Sequence, residues 1–251
     1  MRNSWFEVSG REVPRVLLGT SPFIGAGQFW PRSEYYWARF YGKPEEVAEV
    51  ITAAVELGVV GVQPLPYPFL AEAIRMAQHE TGTELALVVT IGPDRPLEDL
   101  RIFDGLDVRA VLTHGSLTDE ASGPELEAIL GAVRNEGLPA GYVTHSPMKM
   151  LSRISSGAIP RPDLVLLPFN KLGYLMDAPA GRIADAIRRL GLPAMGKKVL
   201  AAGRLKPREG LEFALRAGVL EGVAIGAVSR AEVQETFGLL AELITGFRRP
   251  L

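Results

Sequence analysis

The sequence predicts an α/β protein: a single (β/α)8 TIM barrel preceded by an N-terminal β-hairpin. Three observations carry this expectation. Eight short, apolar, β-rich runs recur along the 251 residues, separated by segments of helical periodicity. Most of the runs are continuously apolar, as parallel strands covered on both faces should be. No composition break or long linker divides the chain, so residues 1–251 read as one domain, and the length suits one barrel.

The hairpin comes first, within residues 1–14. Trp5-Phe6-Glu7-Val8 and Arg11-Glu12-Val13 flank a Ser9-Gly10 turn, and the pair is placed to plug the N-terminal mouth of the barrel. Barrel strands are expected at 15–20, 59–63, 85–91, 110–114, 140–145, 164–169, 195–200 and 222–226. Helices are expected at 44–57, 69–79, 124–135, 181–190, 208–217 and 231–245. Pro44 stands near the first helical position and Gly58 follows the last, the usual asymmetry. Val47, Val50, Ile51, Ala54 and Val55 form an apolar stripe along that helix. Ser122 with Glu125, and Ser229 with Glu232, have capping-box spacing. An open doubly wound sheet is the alternative, but no G-x-G-x-x-G follows the first strand.

Composition narrows the function. The 27 basic and 29 acidic side chains leave a net charge of −2, which gives no general attraction to nucleic acid. The absence of cysteine excludes disulfides, Cys-ligated zinc, iron–sulfur clusters and thiol catalysis. No apolar run is long enough to span a bilayer, and Met1 to Trp5 lack a secretory h-region, so a cytoplasmic protein without a membrane partner is expected. Scarce Asn and Gln, absent Cys and abundant Pro follow part of the thermophile trend, so thermostability is expected.

A barrel carries its chemistry at the C-terminal ends of its strands. Those ends hold Gln63 with Tyr67 just beyond, Thr90, His114, His145, Asn170 and the Lys197-Lys198 pair. His114 and His145 lie on adjacent strands, about 5 Å apart. No Asp or Glu stands at a strand end, so no metal is expected. Only six lysines occur in the chain, which makes the pair in the seventh strand stand out. Strand alternation should turn Lys198 inward with Gly196 and leave Lys197 outside. An inward lysine serves as a Schiff-base nucleophile, an acid–base group or a phosphate counter-ion. Gly226, Ser229 and Arg230 after the eighth strand, with Gly203 and Arg204 after the seventh, read as a phosphate or cofactor site at a helix N-terminus. The first loop, 21–43, holds eight of the 19 aromatics, Trp30 among them. It reads as a lid, with a subunit contact in a homo-oligomer or a packing cluster as alternatives.

Several stretches resemble the aldo-keto reductase barrel. They are the hairpin with Val16-Leu17-Leu18-Gly19-Thr20, residues 47–58 with Val59-Val60-Gly61-Val62, residues 164–170 ending in Asn170, and residues 226–236. The resemblance implies carbonyl reduction with NADP(H) and an Asp, Tyr, Lys, His tetrad. Tyr67 and His114 match the Tyr and His positions, whereas the Asp position falls at Gln63 and the Lys position at about Thr90. A tyrosine titrating near ~10 needs a nearby cation to donate a proton at neutral pH.

The expected function is a small-molecule enzyme performing acid–base chemistry at a carbonyl or a phosphorylated metabolite. Tyr67, His114 and Lys198 are the expected catalytic groups, and Gln63, Thr90, His145, Asn170 and Trp30 the substrate contacts. An NADPH-dependent reductase with a relocated cation and a non-catalytic ligand-binding or assembly barrel are the alternatives.

Overall fold

The structure is a computed structural model that describes residues 1–92 and 96–246, so the C-terminal end of the single-domain span lies outside it. β1 (Trp5–Val8) and β2 (Arg11–Pro14) pair antiparallel. Eight parallel strands then close a barrel: β3 (Val16–Gly19), β4 (Gly61–Gln63), β5 (Ala86–Ile91), β6 (Asp107–Thr113), β7 (Ala140–Val143), β8 (Leu164–Pro168), β9 (Ala194–Lys197) and β10 (Gly222–Ile225). β10 pairs back onto β3, with Val223 opposite Val16. All eight expected runs are barrel strands.

Side-chain alternation divides the barrel core into two layers. Leu17, Val88, Ala110, Leu112, Val143, Leu164, Leu166, Met195 and Ala224 fill the interior, joined by Phe6, Val8 and Val13 of the hairpin. The alternate residues, such as Val16, Leu18, Val62, Leu87 and Val111, pack against the helices. The hairpin is thus the floor of the barrel, as expected. Arg15 fixes it, donating to the Trp5 carbonyl at 3.1 Å and pairing with Glu221 at 2.7 Å. Chemistry is left to the opposite mouth.

The six expected helices form as Pro44–Glu56, Pro68–Thr81, Gly123–Asn135, Ala180–Leu190, Pro207–Arg216 and Arg230–Gly246. Sequence reasoning missed Pro147–Ser155, whose buried stripe of Met150, Leu151 and Ile154 spans too few residues to show a clear period. It also missed Ser33–Phe40, Pro96–Leu100 and Gly115–Glu120. The capping box at Ser122 and Glu125 forms in full. At Ser229 only half forms: its hydroxyl accepts from the Glu232 N–H at 3.2 Å, but the Glu232 carboxylate accepts from Val228 instead.

The long first loop is two 3-10 turns and a helix. Phe23, Tyr36 and Phe40 are buried, whereas Trp30, Tyr35, Trp37 and Tyr41 are exposed. Among the described residues no helix is long and apolar enough to cross a membrane.

Candidate active site

A cavity of about 690 Å³ opens at the C-terminal mouth of the barrel. Strand ends supply its base: Gln63, Thr90, His114, His145, Lys197 and Lys198 all line it, so these expected positions converge. The first loop supplies one wall through residues that include Ser21, Gln28, Phe29, Arg32 and Tyr36. Three contacts tie the rim together. Tyr174 donates to the Gln28 carbonyl at 2.9 Å, Arg32 reaches the Ala202 carbonyl at 3.3 Å, and Arg204 stacks on the Tyr174 ring at 4.0 Å. The first loop is therefore docked as a wall of the cavity.

The two lysines require a correction. Met195 belongs to the barrel interior, and a Cβ added to Gly196 would meet Leu220 at 2.8 Å and Val199 at 3.2 Å, on the outer side. Alternation therefore returns Lys197, not Lys198, to the interior. Lys198 follows the strand with φ of 55°, a left-handed conformation unusual for a side chain this large, and it too lines the cavity. Burial lowers the pKa of both amines: Lys197 falls well below the usual lysine range, helped by the neighbouring Lys198 charge, and Lys198 falls to about 8.

The imidazoles of His114 and His145 meet edge to face with centroids 5.6 Å apart. His114 Nδ1 accepts from the Ser116 N–H at 3.3 Å and lies 2.8 Å from the Ser116 hydroxyl. With Nδ1 accepting, the neutral ring carries its proton on Nε2. Burial and then the Lys197 charge lower the His114 pKa, and burial with both lysines lowers His145 to about 3. Both rings are therefore neutral near pH 7.

A carboxylate stands behind this group, contrary to expectation. Asp119, in the helix Gly115–Glu120, accepts from the Thr144 hydroxyl and from the His145 N–H at 2.8 Å. It opposes the lowering of the His114, Lys197 and Lys198 pKa values. No periodic signal marks it, because a six-residue helix after the strand carries it back across the mouth. Asp119→Asn keeps the shape but leaves one acceptor oxygen for the two donors, the Thr144 hydroxyl and the His145 N–H, and removes the charge. It should cost about 1–3 kcal/mol of stability, read from a denaturant midpoint. Among the described residues no three His, Asp or Glu side chains gather as a metal-ligand set.

Gln63 and Thr90 occupy the positions of the charged pair that the family resemblance implies. Here they form one neutral bond, with Gln63 Nε2 donating to Thr90 Oγ1 at 2.6 Å, and both side chains are buried. Thr20 holds Gln63 in place by donating to its carbonyl at 3.1 Å.

Other expected site residues lie outside the cavity lining. Tyr67 packs its ring on Tyr41 and Phe69 at centroid distances of 5.8 and 5.9 Å, and burial raises its pKa. Asn170 braces a turn, with its side chain donating to the Tyr174 carbonyl and accepting from the Tyr174 N–H. Trp30 is 75% exposed. Of the expected cofactor residues, Gly203 and Gly226 line the cavity. Arg204 is stacked on Tyr174, Ser229 caps its helix, and Arg230 pairs with Glu56. The cavity wall at that end instead includes Glu232 and Glu235.

No family model matches the chain, and no curated protein matches it. Solved structures do. A proposed aldo-keto reductase from Pseudomonas aeruginosa aligns over 97% of this chain and 96% of its own, with a TM-score of 0.70 at 18% identity. The chain has the aldo-keto reductase fold. An aldo-keto reductase from Bombyx mori, solved with NADP, aligns over 98% of this chain and 92% of its own, with a TM-score of 0.69 at 15% identity. An aldose reductase from Schistosoma japonicum aligns over 100% and 94%, with a TM-score of 0.64 at 14% identity.

Proposed function

We propose that the protein is a small-molecule enzyme that moves protons at a carbonyl compound bound in the barrel-mouth cavity. The observation that carries this reading is the convergence of Lys197, Lys198, His114 and His145 on one cavity, with Asp119 behind them. The two imidazoles are neutral near pH 7, burial shifts the Lys197 amine toward its neutral form, and Lys198, titrating at about 8, remains largely an ammonium. A base and an acid thus face the same space. A base takes a proton from the carbon beside the carbonyl, the electron pair moves onto the carbonyl oxygen, and the Lys198 ammonium stabilises the resulting enolate. Gln63, whose amide is already oriented by Thr90, positions the substrate.

A carbonyl compound fits better than a phosphorylated metabolite. Arg204 and Arg230 are engaged away from the cavity, and Glu232 and Glu235 line the end where phosphate was expected. The test is proton exchange without cofactor. Small aldehydes and ketones in D2O should lose their α-proton NMR signal faster with the protein than without it. No acceleration across such a panel would remove the reading. Tyr67→Phe should leave the exchange rate within about twofold, because the ring lies outside the cavity.

A second reading is an NADPH-dependent carbonyl reductase with a relocated cation. It is favoured by the continuity of the cavity from His114 and Lys197 to Gly226. NADP(H) would bring a hydride donor to the carbonyl. The residues present suit it incompletely, since the same Glu232 and Glu235 wall disfavours an added phosphate. Fluorescence titration with NADPH separates the readings: saturable binding supports this one, and no binding at millimolar cofactor removes it.

A further inference from the structure

Consecutive residues of a regular strand point to opposite faces, yet Lys197 and Lys198 line the same cavity. The interior position of Met195 sets Lys197 inward at the last residue of β9. The left-handed backbone at Lys198 then lets the second amine follow it. Ala201 and Ala202 are left-handed as well, with φ of 49° and 55°, so this short segment concentrates backbone strain at the cavity rim. Lys171 has an ion-pair partner in Glu209, but Asp119 acts on Lys197 and Lys198 through space, its oxygens being taken by Thr144 and His145. A desolvated amine beside a second cation is the environment that turns lysine into a nucleophile for carbonyl carbon.

We infer that Lys197 forms an imine with a small aldehyde or ketone, and that Lys198 is its proton donor; this deepens the carbonyl reading above and rests on it. The Lys197 Nζ lone pair forms the C–N bond while the C=O electrons move to oxygen. Transfer of one proton from nitrogen to oxygen gives the neutral carbinolamine. A proton from the Lys198 ammonium then lets the hydroxyl leave as water, and a protonated imine remains. No oxidant or reductant is consumed. The imine draws electrons from the neighbouring C–H bond, and the His145 imidazole, which lines the same cavity, takes that proton as base.

The test treats the full chain with propanal, and separately with pyruvate, in the presence of cyanoborohydride, and locates the reduced adduct by tandem mass spectrometry. The expected result is saturable modification at Lys197 ahead of Lys43, Lys149, Lys171 and Lys206. Lys198→Met should slow it tenfold or more, and folded Lys197→Arg should show no adduct at that position. Adducts confined to the surface lysines, shared evenly among all six, or placed on Lys198 would overturn the inference. Cofactor-free α-deuterium exchange that persists without a Lys197 adduct overturns the imine alone. Loss of both exchange and adduct overturns the carbonyl reading with it.

Discussion

Replacing Lys197 by methionine should lower turnover of a carbonyl substrate by about 10²–10⁴-fold, the usual contribution of a positioned acid–base group, while the fold is kept or gains stability. Methionine retains an unbranched side chain of similar reach but removes the amine. The stability effect follows from proton linkage. In the folded protein the Lys197 pKa is well below the usual value, because burial and Lys198 disfavour its charge. Between that lowered value and about 10.4 the unfolded chain binds more protons than the folded one. Unfolding free energy therefore rises with pH across this window and falls as the solution is acidified. At neutral pH the lysine is a cost to folding, and methionine removes it. The variant should gain more near pH 7 than near pH 10, because the cost shrinks as pH rises toward the ordinary lysine range. Urea midpoints at pH 7 and pH 10 check this. A variant less stable than the parent at pH 7 would contradict the assignment of Lys197 as an enclosed, unpaired amine.

Gly141→Ala should destabilise the barrel by about 3 kcal/mol, at the upper end of what overpacking costs. Gly141 lies on β7 opposite Leu164 of β8. A Cβ there would stand 2.0 Å from the Leu164 carbonyl oxygen and 2.7 Å from Leu112 Cδ2. The carbonyl belongs to the neighbouring strand's backbone, so it cannot yield without parting the two strands. His145, whose N–H is held by Asp119, follows the C-terminal end of the same strand, so activity should fall along with stability. Gly131→Ala is the control. Its Cβ would meet nothing within 4 Å, and it lies inside the helix Gly123–Asn135. It should stabilise by up to about 1 kcal/mol through helix propensity. Guanidinium unfolding of both variants reads the contrast.

The barrel was legible in the sequence because a strand buried on both faces is a continuous apolar run, and such runs survive imprecise boundaries. The hairpin was legible because Ser9 and Gly10 both take positive φ, 47° and 79°, as a tight turn between twisted strands demands. The sidedness of the lysine pair was not. It depends on one residue of register: β9 ends at Lys197, whereas a run read through residue 200 leaves the parity open. Position along the chain also placed Gln63 and Thr90 at the cavity, but not the bond that joins them, which is a matter of two strands meeting in space. Tyr67 failed for a similar reason. Its spacing from Gln63 suits a site residue, yet its ring rests on Tyr41, supplied by a loop 26 residues earlier in the sequence. Asp119 left no trace because neither burial nor period marks a carboxylate in a six-residue helix.

The most direct test is the protonation state of Lys197 itself. In protein labelled with [15N]lysine, the Nζ resonance assigned by its absence from Lys197→Met should titrate well below the ordinary lysine value, with Lys198 following at about 8. A Lys197 resonance titrating with the surface lysines near about 10.4 would contradict the proposal that a neutral amine works in this cavity.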